Sequence, residues 1–216
     1  PLLANLYLDE VDKVLERRGH AFVRYADDLR VLVRSKRAGE RVMEKLIKRF
    51  TKLRLRVNES KSTVTRVYGR PFLGFDLRVD KRGETKIQVA SKSLDAMKER
   101  VRGLTNKRRG RRVEQVVGQL RRYLLGWWGY YKLTDNPWAI RDVQGWIRRR
   151  LRCLILYQYR RPKRAYRALR ALGASDRQAR GVAAHLSQWW WNSTGVVNRI
   201  LSNSYLADLG LPTLVR

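Results

Sequence analysis

The 216-residue chain has a single cysteine, Cys153, and two histidines, His20 and His185, set far apart. One thiol forms no intramolecular disulfide and no cysteine zinc site, and isolated imidazoles exclude a histidine-rich metal cluster. With no signal peptide in view, an intracellular, reducing setting is expected. No apolar run reaches the length that a bilayer-spanning helix needs. Acidic residues are also scarce, 19 against 49 Lys plus Arg, for a formal net charge of +30. That excess favours a polyanionic partner, with nucleic acid first. Anionic lipid fits less well, because the cations are interleaved with helix-period apolar residues. The imbalance is uneven. Residues 1–90 hold 22 basic and 12 acidic groups, whereas residues 91–216 hold 27 and 7. There is no internal repeat and no low-complexity segment, and the opening run PLLANLYL reads as a cut through a larger protein or as processing.

A hydrophobic share of 44% supplies a core of ordinary size. Leu2, Leu3, Leu6, Val11, Val14 and Leu15 recur near helical spacing, and Gly19 supplies a stop. FVRYADDLRVLV, residues 22–33, places β-branched and aromatic runs on either side of Asp27-Asp28 and reads as a hairpin. Residues 38–53 carry Val42, Leu46, Ile47, Phe50 and Leu53 on one stripe, an amphipathic helix with a basic outer face. Leu53, Leu55 and Val57 then alternate as in a strand, break at Asn58-Glu59 and resume toward Val67. A second hairpin is expected to turn at residues 81–84.

After residue 90 the pattern becomes almost wholly helical. Val117, Leu120, Leu124, Trp127 or Trp128, and Tyr131 share a face opposite Arg121 and Arg122. Asn136-Pro137 is an N-cap followed by proline at the first helical position, and Ser175 with Gln178 has capping-box spacing. Pro162 opens a helix that Gly173 closes, and the tail after Trp191 reads as helical to about Leu209. Three consecutive tryptophans, Trp189 to Trp191, cannot all face one core, so at least one is expected at the surface. GWWGYY, residues 126–131, is better explained by core packing than by base stacking.

Adjacent aspartates in a tight turn repel each other unless a cation neutralises them. Asp27 and Asp28 are therefore either ordinary turn chemistry or part of a metal site. Mg2+ takes oxygen ligands, commonly one or two carboxylates plus substrate phosphates, and two-metal nucleotidyl transfer uses such ions on attacking and leaving oxygens. Arg148, Arg149, Arg150 and Arg152 follow one another on a helix, with Arg148 and Arg152 on one face and Arg149 beside it. With Arg160, Arg161, Lys163, Arg164 and Arg167 they are expected to make a broad phosphate-binding surface, suited to the backbone of a structured RNA.

YADD, residues 25–28, resembles the catalytic motif of reverse transcriptases, and its alanine resembles that of the group II intron-encoded enzymes. PLLANLYLDEVD, LRVNESKS and FLGFDL are similar to neighbouring palm blocks of the same family, and residues 145–173 resemble its maturase-specific thumb. The matches run in order over nearly the whole chain. This resemblance implies that Asp27 and Asp28 hold Mg2+, that Tyr25 lies beneath the primer terminus, and that Lys61 stands near the incoming triphosphate. It further implies that Phe72, Leu73, Gly74 and Phe75 grip the primer, a role compatible with plain core packing of the two phenylalanines. The chain departs from the family pattern at Arg30, where an uncharged residue is usual. The fingers, the other metal-binding aspartate and the Cys- and His-bearing nuclease segment find no match here, and Asp9, Asp12 and Asp76 sit in none of the required motifs.

The fold class expected is α+β: a partial polymerase palm of helices and antiparallel hairpins, then an all-α thumb/maturase domain. The expected divisions are residues 1–90 for the palm portion, 91–174 for the thumb and 175–216 for a basic helical tail. The expected activity is that of a C-terminal portion of an RNA-directed DNA polymerase and intron maturase, inactive in polymerisation by itself. Its implied partners are group II intron RNA, a template–primer duplex and deoxynucleoside triphosphates, with no membrane, and its implied location is a bacterial cytoplasm. The alternatives are a non-catalytic RNA-binding splicing cofactor or decayed relic, and a reverse transcriptase adapted to phage defence.

Overall fold

A computed structural model describes residues 2–58 and 60–215. The packing divides the chain into two compact units, one ending at Arg70 and one beginning at Pro71.

The first unit opens with helix α1 (Leu2–Arg17), whose Val11 and Leu15 are buried while Leu2, Leu3 and Leu6 stay exposed. Gly19 adopts φ 65°, the left-handed turn that glycine takes without penalty, and ends the helix as expected. Strands β1 (Ala21–Tyr25) and β2 (Asp28–Leu32) pair antiparallel with Tyr25 opposite Asp28. Helix α2 (Lys36–Lys52) starts at Ser35, whose hydroxyl accepts from the Ala38 amide. Its apolar stripe is half-buried at Val42, Leu46 and Phe50, with Ile47 exposed.

The alternating run from Leu53 to Val67 forms no strand among its described residues, and Glu59 lies outside them. Leu53, Leu55 and Val57 are half-buried while Arg54 and Arg56 are exposed, so the alternation in burial is present. What is missing is a partner. Period-two patterning makes sheet only where another strand offers its backbone, and β1 and β2 pair with each other alone.

The second unit begins with β3 (Phe75–Val79) and β4 (Thr85–Val89), antiparallel, with Gly83 at φ 82° in the connecting turn. Helices α3 (Ser91–Leu104), α4 (Val113–Tyr131), α5 (Pro137–Tyr159), α6 (Pro162–Ala171) and α7 (Asp176–Ala184) follow. The Asn136 side chain caps α5, Pro137 sits in its first turn, and Ser175 and Gln178 make the reciprocal bonds of a capping box at α7. The tail is broken into α8 (Trp189–Asn192), α9 (Val196–Ile200) and α10 (Asn203–Asp208), with Gly195 at positive φ between the first two.

One apolar core joins Met97 and Val101 of α3, Leu120 and Leu124 of α4, and Ile140, Ile147 and Leu151 of α5, and continues through Leu169, Leu201 and Leu206. The second hairpin docks on the helices through the loop before α5. Asp135 donates its amide to the Ile87 carbonyl at 2.7 Å, and its carboxylate accepts from the Ile87 amide at 2.8 Å. The chain is thus mixed α and β, mostly helical, with two small antiparallel hairpins. No helix among the described residues is long and apolar enough to cross a membrane.

Candidate functional site

The β1–β2 register leaves two residues, Ala26 and Asp27, in the turn. Ala26 has φ 53°, the positive value that the first central position of a type II′ turn requires. An alanine there costs about 1–2 kcal/mol relative to ordinary backbone, so something must hold it. Arg24 does so: its guanidinium donates to the Ala26 carbonyl at 2.8 Å and to the Asn5 side chain at 3.0 Å. Its Nε also meets both oxygens of Asp12 at 2.9 Å. The Arg24–Asp12 pair is largely buried, and hydrogen bonding to Asp12 pushes the Arg24 pKa up further. A clamp from α1 thus fixes the backbone of the turn.

Tyr25, Asp27 and Asp28 gather at this end of the hairpin, all exposed. Neither carboxylate takes part in an ion pair among the described residues, so no described cation offsets the two like charges. Oxygen donors of this kind suit a hard divalent cation. Two carboxylates are a partial set, and no cluster of three His, Cys, Asp or Glu occurs among the described residues. Asp12 is committed to Arg24 and Asp9 to Lys13. Lys61 is exposed on a separate loop of the same unit, where its amide reaches the Asn58 carbonyl at 3.1 Å.

Phe72 to Phe75 belong to the second unit and form a tight turn closed by Phe72 and Phe75, whose amides and carbonyls bond reciprocally at 2.8 and 2.9 Å. Leu73 and Gly74 both have positive φ, 50° and 78°, the type I′ combination. The Leu73 carbonyl accepts from the Tyr130 hydroxyl at 2.8 Å, and the Phe75 ring packs on Tyr130 and Tyr131 with centroids 5.6 and 5.2 Å away. Ring packing on α4 accounts for Phe75, and the backbone pairing of the turn holds Phe72.

The arginines of α5 differ from the expected exposed surface. Arg152 is 4% exposed, donating to the Leu201 carbonyl at 2.8 Å and the Asn203 side chain at 2.9 Å. Burial pulls its pKa down, with Arg148 adding to the effect. Arg149 lies 3.9 Å from the Trp190 ring centroid and donates to the Trp190 carbonyl and the Ser193 hydroxyl. Arg148 is half-buried, with its pKa also lowered by burial. The physical reason lies in the broken tail, because short helices leave carbonyls without intrahelical partners and these cations satisfy them. By contrast, Arg160, Arg161, Lys163, Arg164 and Arg167 are exposed at the end of α5 and along α6. Trp190 and Trp191 are exposed too.

The profile of the reverse transcriptase (RNA-dependent DNA polymerase) family matches residues 1–77. That of the group II intron, maturase-specific domain matches residues 94–173. The chain belongs to the group II intron reverse transcriptase/maturase family. Comparison with curated proteins gave no match. Within this reverse transcriptase/maturase chain, the YADD turn lies in the first matched segment and the exposed cations of α6 lie in the second. Sequence reasoning missed the Arg24–Asp12 clamp, although an arginine two residues before a strained turn was one available signal. It also missed Gln144, a buried amide on the α5 stripe that continues through Arg148 to Arg152. Its oxygen accepts from the amides of Leu214 and Val215 at 2.8 and 3.3 Å.

Proposed function

We propose that this chain works in RNA-templated DNA synthesis and in the folding of a group II intron RNA for splicing. The observation that carries the first role is the pair of carboxylates, neither ion-paired among the described residues, on a turn whose backbone is clamped from α1. Asp27 and Asp28 would hold Mg2+, which when bound offsets developing charge in nucleotidyl transfer. Arg24 keeps the turn in place through Ala26. Tyr25 supports the primer terminus, and Lys61 offers a cation to the leaving pyrophosphate. Phe72, Leu73 and Gly74 form the primer-side turn. Substrate phosphates and further donors outside this pair complete the coordination.

The second role rests on the exposed cations Arg160, Arg161, Lys163 and Arg164, with Arg148 and Arg149 at the margin and Arg152 left out as structural. This surface would hold intron RNA and, during copying, the template–primer duplex. Functionally the division stays near residue 90, with thumb to 174 and tail beyond it, although the second hairpin packs with the helices.

A second reading, an RNA-binding splicing cofactor without polymerisation, draws on the incomplete donor set at the turn. One experiment separates the two. In the polymerising protein, Asp27→Ala with Asp28→Ala should abolish primer extension and leave intron-RNA affinity within about twofold. Extension at the parental rate would remove the metal-site reading.

A further inference from the structure

We propose that the junction of α5, α6 and α7 is a pocket for one unstacked nucleobase of the bound RNA; this rests on the RNA-binding reading above and names what that surface recognises. An open pocket of about 450 Å³ lies there, within the size range of small-ligand sites. Its lining includes the buried Leu156, Ala183 and Leu186 at the base, with the rings of Tyr157 and Trp189 and the cation of Arg160. The two rings stand edge to face, 5.2 Å apart. No carboxylate among the described residues lines the pocket. Lys107 places its ammonium 3.7 Å from the Trp189 ring centroid, a second cation beside the pocket.

Two further observations point to an anionic ligand with a flat apolar part. Arg160 has φ 59° and ψ −43°, backbone that glycine adopts far more readily than any residue with a side chain. Side-chain-bearing residues persist in such conformations chiefly where function needs them, and here the side chain lines the pocket. Beyond it, Arg161, Lys163 and Arg164 crowd the start of α6, whose first turn carries no acid. Cations at the positive end of a helix repel both one another and its dipole. A phosphate relieves both, and a base attached to that phosphate fits the aromatic and aliphatic pocket beside it. Single-stranded loops, whose bases can be splayed out and stacked on rings, are the RNA element that offers this combination.

The test uses two RNA hairpins of equal length and charge, one with an intact loop and one whose loop nucleotides are abasic. The parental chain should bind the intact hairpin on the order of tenfold more tightly. Ala184→Trp, which fills the pocket from an exposed position, should bring the two affinities together while leaving the abasic hairpin's affinity unchanged. Arg160→Gly should cut the preference as well, without lowering the thermal midpoint, because glycine relieves the backbone. Equal binding of both hairpins by the parental chain would overturn the pocket and leave its surface to an apolar protein side chain. A preference that survives Ala184→Trp would also overturn it. Failure to bind either hairpin would instead overturn the RNA-binding reading.

Discussion

Single residues at positive φ mark both turns assigned to nucleotide transfer. Ala26 and Leu73 each carry a Cβ into left-handed backbone, and each is held by a donor to the backbone nearby, Arg24 at the Ala26 carbonyl and Tyr130 at the Leu73 carbonyl. Strain of about 1–3 kcal/mol per site persists only where neighbours over-determine the geometry. Gly74 shows the same constraint from the other direction. Its φ is 78°, and an added Cβ would collide with the Tyr131 hydroxyl and sit 3.1 Å from the Ser93 hydroxyl. Gly74→Ala should therefore lower unfolding free energy by about 2 kcal/mol or more in denaturant titration. An unchanged midpoint would show that α4 yields at this contact.

At the scale of elements, helix α5 joins the second unit together. Its apolar side feeds the core, while Gln144 and Arg152, two turns apart, bind backbone of the tail. Arg152→Ala should cost about 3 kcal/mol, since it strands the Leu201 carbonyl in the interior and removes the partner of the exposed Asn203 side chain. The salt dependence of RNA binding should stay as it was. Calorimetric unfolding and a salt titration check the two halves, and a parental midpoint would contradict the structural role.

The features legible in the sequence were those governed by local chemistry. Asn136-Pro137, Ser175 with Gln178, the Gly19 stop and the YADD hairpin fall where capping and turn rules put them, because a few adjacent residues settle each. Features that depend on distant partners were not legible. The alternation at residues 53–57 needed a neighbouring strand to become sheet. Arg152 carries the same residue type as exposed Arg160, and only the tail's unpaired carbonyls distinguish them. At the site, Asp27 and Asp28 stood out by adjacency, whereas Asp12 required knowing that α1 lies against β1.

Over the whole molecule, charge is unevenly distributed. The first unit sets Asp27 and Asp28 on a hairpin, neither in an ion pair among the described residues, and the second exposes a run of cations where α5 passes into α6. A net charge of +30 makes association with a polyanion strongly dependent on salt. Each phosphate contact released changes the slope of log affinity against log salt by roughly 0.7–0.9. The most direct measurement is therefore that slope for group II intron RNA, taken on the parental chain and on a variant with Arg160, Arg161, Lys163 and Arg164 all changed to Ala. The variant should be shallower by roughly three units or slightly more, with Asp27→Ala/Asp28→Ala retaining the parental slope. Parallel lines for the parent and the four-site variant would contradict an RNA-binding thumb.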